Sequence, residues 1–288
     1  MKNIKKILIT GVSGYIGSNL KGYFVGAGYS VIGLDINIKN GDETLNLDIT
    51  DYVCVSDVIK KIEPDVIVHA AGLSNLSLCE KNSLLAEKVN TQGTYNIAKA
   101  LSEQSLKCKL IFLSTDYVFD GKTGDYSEND NPNPLTVYGK TKLEAEKSIK
   151  GILSEYVICR TANVYGRGGN FLKFVYSSLK SEQQIEVFDD AFFTPTYIDD
   201  LTNMIELVLE KDIKGFLHTA GPEKVNRYAF AKKIAKVFNF DERLIIPVGK
   251  PEGSFIADDV SLNTDNAKKA LNINSYSIED GLLRSGGI

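Results

Sequence analysis

Lys6-Ile-Leu-Ile-Thr10-Gly11-Val-Ser-Gly14-Tyr-Ile-Gly17, near the start of a 288-residue chain, decides the fold. An apolar run of strand length stops at Thr10-Gly11, and helical periodicity follows from Gly14 to Ala27. Three glycines between a strand and a helix permit a tight turn. They also let backbone N–H groups approach a pyrophosphate at the helix N-terminus. The spacing is GxxGxxG, one residue longer than the GxGxxG fingerprint of dinucleotide-binding folds. Gly11, Gly14, Tyr15, Ile16 and Gly17 are therefore candidate cofactor contacts. Asp35, ending the next strand-length run, stands where an acid would accept hydrogen bonds from an adenosine ribose. A carboxylate there repels a 2'-phosphate and no arginine is near, so NAD(H) is favoured. Lys39 is close enough to keep NADP(H) open. Asp48-Ile49 and Ala70-Ala71-Gly72 also follow apolar runs and are candidates to line the adenine and ribose.

Strand-length apolar runs at Ile7–Thr10, Ser30–Leu34, Asp65–His69, Lys109–Ser114 and Tyr156–Arg160 alternate with amphipathic stretches. The latter fall at Gly14–Ala27, Ser56–Ile62, Ser83–Gln104 and Tyr138–Leu153. Alternation with continuous apolar strands predicts an α/β fold: a doubly wound (Rossmann) parallel sheet covered on both faces. After Arg160 the pattern loosens. Thr196–Glu210, Asn226–Phe240 and Ile278–Leu283 read as helices and Gly215–Ala220 as a strand. The expected division is an NAD(P)-binding domain over residues 1–165, with 196–220 returning to it. Residues 166–288 would form mainly a small C-terminal α/β substrate lobe.

A net charge of -4 gives no sign of a nucleic-acid surface. Cys54, Cys79, Cys108 and Cys159 make no CxxC pair, and only His69 and His218 could join them. No metal site is expected, and the cysteines read as small core residues of a reduced, cytoplasmic protein. The run Ile7–Ile9 is too short for a signal core or a membrane span. Arginine first appears at Arg160, so a diphosphate gripped by guanidinium groups would meet the C-terminal part.

Tyr138-Gly-Lys-Thr-Lys142 places a phenol and an ammonium on one helix face. A neighbouring cation favours the ionised phenol and so lowers its pKa. Ser114-Thr115-Asp116-Tyr-Val-Phe-Asp-Gly121 follows the strand-length run at 109–114, and ligands of doubly wound sheets sit at the carboxyl ends of strands. Thr115, Tyr138 and Lys142 thus form a candidate acid–base triad. With the glycine turn, this order resembles the extended short-chain dehydrogenase/reductase superfamily. STDYVFDG, the stretch Pro132-x-Pro134-x3-Tyr138-Gly-x-Thr-Lys142, and the segment from Cys79-Glu80 to Asn90 resemble the dTDP-4-dehydrorhamnose reductase family in particular.

The resemblance spans about Lys6 to Leu283 and implies an NAD(P)H-dependent oxidoreductase. Its substrate would be a nucleotide-linked 4-keto-6-deoxyhexose, reduced at C4. Tyr138 would give a proton to the ketone oxygen, Lys142 would hold the nicotinamide ribose, and Thr115 would bond the reacting oxygen. Asp116, Asn163, Phe171 and Arg227 are candidate substrate contacts. The superfamily commonly forms homodimers, so a homodimer is one expectation for this chain. Two segments depart from the family: Arg160-Thr-Ala-Asn163-Val-Tyr-Gly166 replaces RTSWVYG, and Asp190-Ala-Phe-Phe-Thr-Pro-Thr196 replaces DQxGxPT. Asn163 is what sugar-nucleotide epimerases and dehydratases of the superfamily show, so an NAD-recycling epimerase stays open. Tyr117 stands where 4,6-dehydratases carry a glutamate, which disfavours dehydration. The methionine adenosyltransferase regulatory subunit resembles the same family, so a non-catalytic role is the third reading.

Overall fold

The computed structural model describes residues 5–37, 44–211 and 213–286. Strands in the first part are β1 (Lys6–Thr10), β2 (Ser30–Asp35), β3 (Leu45–Asn46), β4 (Val66–His69), β5 (Lys109–Thr115) and β6 (Tyr156–Thr161). Short strands follow: β7 (Val164–Tyr165), β8 (Ile185–Phe188), β9 (Phe192–Phe193), β10 (Thr196–Tyr197), β11 (Gly215–His218), β12 (Val225–Asn226) and β13 (Ile245–Val248). The first helices are α1 (Tyr15–Gly26), α2 (Tyr52–Ile62), α3 (Leu76–Lys81), α4 (Ser83–Ala86), α5 (Gly93–Glu103) and α6 (Val137–Ile152). The later ones are α7 (Asn170–Lys180), α8 (Ile198–Glu210), α9 (Arg227–Val237), α10 (Asp265–Leu271) and α11 (Ile278–Ser285).

Seven strands form one parallel sheet in the order β11-β6-β5-β4-β1-β2-β3. Side chains alternate faces along each strand, and the two faces have separate cores. Ile7, Ile9, Ile111 and Leu113 pack with Leu20 and Phe24 of α1 and with Leu201, Ile205 and Val208 of α8. Leu8, Leu110 and Phe112 pack instead with α2, α5 and α6 through Ile59, Ile97, Ala145 and Ile149. Burial on both sides is why these strands read as unbroken apolar runs. The strand order reverses between β1 and β4, where Thr10 lies beside His69. This doubly wound α/β arrangement opens a crevice at the carboxyl ends of those strands.

A further core, away from the main sheet, gathers Leu172, Val175 and Leu179 of α7 and Phe230, Ile234 and Ala235 of α9. It also takes in Ile278 and Leu282 of α11. Two small sheets, β8 with β13 and β9 with β12, edge it. A strap over residues 257–263 joins the two parts. Its Asp259 N–H donates to Gly121 O, Tyr126 N–H donates to Ser261 O, and Val260 N–H donates to Phe192 O.

Several boundaries differ from the sequence expectation. α2 begins at Tyr52, four residues early, because Asp51 caps it through Cys54 N–H. The stretch from Ser83 is interrupted by a π-helical turn at Glu87–Gln92. Thr196–Tyr197 pairs with β7 before α8 begins, and the 215–220 strand ends at His218. The helix read over Asn226–Phe240 spans only Arg227–Val237, with Asn226 as its cap. Helix α7 was not expected at all. Cys79, Cys108 and Cys159 are buried as anticipated, whereas Cys54 is exposed on α2. Among the described residues, no helix is long and apolar enough to cross a membrane.

Phe230 is fully buried, stacked on Phe171 at 5.5 Å and edge-on to Tyr165 and Phe193. Phe230→Ala is expected to cost about 3–5 kcal/mol, measured as the loss in urea unfolding free energy.

Candidate active site

The crevice opens into a cavity of about 420 Å³. One wall is the glycine turn: Gly11, Gly14, Tyr15, Ile16 and Gly17 all line it, with Ala70, Ala71 and Gly72 beside them. Gly11 has φ +71°, and a Cβ there would come within 2.6 Å of the Ala71 backbone. A Cβ on Gly17 would strike the carbonyl of Gly11. Helix α1 therefore meets the turn backbone to backbone. No side chain caps its first turn, so its N–H groups remain available to an anion.

The opposite wall comes from the carboxyl end of β5 and the first turns of α6. Thr136 caps α6 by accepting from Gly139 N–H at 2.9 Å, and Glu80 of α3 accepts from Val137 N–H at 2.7 Å. These bonds fix the helix start, so Tyr138 faces the cavity beside Thr115. Thr115 donates to Asp116 at 2.9 Å. Lys142, also lining the cavity, donates to Leu113 O at 2.6 Å and lies 3.8 Å from the centre of the Phe112 ring. Asn163, Phe171 and Arg227 complete the far side, from the second part of the chain.

Electrostatics depart from the sequence expectation. The Tyr138 phenol is pushed up, not down: burial dominates, with Asp116 adding to it against the Thr115 hydrogen bond. Lys142 turns its ammonium to the Leu113 carbonyl, and its burial lowers it to about 7, with Glu146 pulling the other way. The phenol therefore carries its proton at neutral pH and holds it more tightly than a free tyrosine. Burial also raises Asp116 to about 7, against the Thr115 hydrogen bond and Arg227.

Asp35, Asp48 and Ile49 do not line the cavity. Asp35 stands behind the turn, where its two oxygens accept Ser13 N–H and Asn37 N–H, each at 2.9 Å. Asp48 is exposed and accepts from Thr50 N–H. Ile49 is a core residue because its side chain packs on Gly93. Lys39 lies outside the described residues. Of the arginines, Arg227 lines the cavity, while Arg160 is buried in an ion pair with Glu146. Sequence reasoning missed Tyr117, which lines the cavity and meets Tyr138 edge-on at 6.2 Å. It also missed the strap residues Ile256, Ala257 and Val260. Among the described residues, no group of three His, Cys, Asp or Glu could hold a metal ion.

Comparison with known proteins agrees with this geometry. The RmlD substrate binding domain model matches residues 5–281. The chain belongs to that family. Within it, dTDP-4-dehydrorhamnose reductase of Aggregatibacter actinomycetemcomitans is 33% identical over 82% of this chain and 79% of its own. The β subunit of methionine adenosyltransferase 2 from Danio rerio is 29% identical over 85% of this chain and 77% of its own. The crystal structure of dTDP-4-dehydrorhamnose reductase from Bacillus anthracis in complex with NADP superposes with a TM-score of 0.87. Its identity is 31%, covering 97% of this chain and 98% of that one.

Nothing larger than hydrogen fits at Gly11, so a side chain there would push the turn off the Ala71 backbone and displace the N–H groups at the start of α1. Gly11→Ala is expected to weaken NAD(P)H binding by about tenfold or more, read from the fluorescence of the reduced nicotinamide.

Proposed function

We propose that this protein is an NAD(P)H-dependent oxidoreductase that reduces the C4 ketone of a nucleotide-linked 4-keto-6-deoxyhexose to a hydroxyl. The observation that carries this reading is that Tyr138, Lys142 and Thr115 face the same cavity as the glycine turn. The reductases among its relatives point the same way, and one of them holds NADP.

A bound reduced nicotinamide supplies the hydride. The N–H groups at the start of α1 hold its diphosphate. Lys142, kept in place by the Leu113 carbonyl, reaches its ribose. Thr115 positions the ketone oxygen, and Tyr138 delivers the proton that oxygen needs as the carbon is reduced. Asn163, Phe171 and Arg227 face the sugar nucleotide from the other wall. Residues 1–165, with 196–220, make the cofactor unit in this scheme, and 166–288 mainly the sugar-nucleotide unit.

Asp35 sets the cofactor bias. Among the described residues, each of its oxygens has one backbone partner, Ser13 N–H on one and Asn37 N–H on the other. The carboxylate suits ribose hydroxyls and repels a 2'-phosphate, which favours NADH.

NAD(P)H absorbance is expected to fall when the protein meets a nucleotide-linked 4-keto-6-deoxyhexose. Tyr138→Phe should lower kcat by a factor on the order of 10² or more. A Phe variant with undiminished turnover removes the assigned acid. Sugar interconversion without net cofactor oxidation replaces the reductase with an epimerase. Asp35→Asn is expected to raise kcat/KM for NADPH relative to NADH by about tenfold. An unchanged ratio takes Asp35 out of cofactor selection.

A further inference from the structure

Three consecutive residues of β5 grip three successive turns of α6. Thr115 lies beside Tyr138 at the cavity, the Leu113 carbonyl takes the Lys142 ammonium, and Ser114 Oγ donates to Glu146 Oε1 at 2.5 Å. Positions 138, 142 and 146 are four residues apart, so they share one helix face. Only the first two reach the cavity. Glu146 lies behind them, 1% exposed, and is held at both oxygens by Arg160 of β6. Nε donates to Oε1 at 3.1 Å and Nη2 to Oε2 at 2.7 Å. Arg160 is itself 2% exposed, its guanidinium lying against the rings of Phe119 and Phe216.

A bidentate guanidinium–carboxylate pair is directional as well as strong. This one joins α6 to two neighbouring strands, one turn beyond Lys142. Desolvating two charges is expensive, and an apolar pair of similar volume would often hold a helix as well. The charge pair offers what an apolar pair cannot: an anion on the Lys142 face of the helix.

We propose that Glu146 is a positioning residue for the reaction. Clamped by Arg160 and Ser114, it sets the rotation of α6 and keeps a negative charge one turn from the Lys142 ammonium. The other groups around Lys142 do not provide that charge. His69 on β4 is fully buried and strongly disfavours a proton, because of its burial and then Lys142. Tyr138 on the same helix is a neutral phenol, and Ser114 and Thr115 on β5 are hydroxyls. Asp116, beyond Thr115, is raised by burial and offset by Arg227.

This inference rests on the proposed reduction, so its test has one readout that needs no turnover. Single variants strand a buried charge, so the decisive protein is Glu146→Gln/Arg160→Gln, which removes both charges together. Circular dichroism should give the wild-type spectrum, and NAD(P)H fluorescence a Kd within about threefold of wild type. kcat is expected to fall about tenfold or more with KM little changed. Loss of the anion disfavours the Lys142 cation, so the high-pH limb of the rate profile should move to lower pH. Glu146→Asp, which keeps the charge but shortens the reach, should restore that limb while leaving kcat low. Independently, the Nζ resonance of Lys142 in 15N-lysine-labelled protein should titrate at lower pH in the double variant. Wild-type kcat and pH profile in the folded double variant, or an unmoved Nζ midpoint, overturns the proposal. Absence of reduction by the wild type overturns the functional reading alone, and the Nζ midpoint then decides on Glu146.

Discussion

Backbone touching backbone is the constraint on which the cofactor end of this molecule depends. Helix α1 reaches its place only because Gly17 lets it rest on the carbonyl of Gly11, and Gly11 itself abuts Ala71. Any larger residue would lift the helix from the turn and move its N–H groups off the crevice. Everything that follows in the sheet inherits that fit. β1 sets the register of both β2 and β4, and the crevice exists because the strand order reverses at β1.

The opposite wall solves a different problem. A phenol and an ammonium must be held side by side in a place where water is scarce. Burial alone drives the phenol toward protonation and the amine toward neutrality, and both shifts occur here. The arrangement suits a proton donor. It is less suited to a preformed phenolate base. The bond that Lys142 donates to the Leu113 carbonyl, at 2.6 Å, holds the ammonium inside the wall.

Much of this was legible before any coordinates. The unbroken apolar runs at Ile7–Thr10 and Lys109–Ser114 announce strands buried on both sides, and the glycine turn between strand and helix names its own ligand. Tyr138, Lys142 and Thr115 could be placed together because a helix period and a strand end dictate it. Helix α7 is absent from the sequence reading although Leu172, Val175 and Leu179 mark a buried stripe, because strand–helix alternation loosens after Arg160. Ile49 looked like a ligand-lining turn residue, yet its fate depended on a glycine far along the chain at Gly93. The phenol's electrostatics were misjudged because the spacing shows that Lys142 is near but not where its ammonium points. Strap residues such as Val260 had no local signal, since only tertiary pairing with Phe192 brings them to the cavity.

That strap has a bearing on how the molecule comes apart. It is hydrogen-bonded to the loop after β5 on one side and to β9 on the other, so neither core can loosen without pulling on the other. Two hydrophobic centres sewn together by one late stretch of chain should melt in a single step.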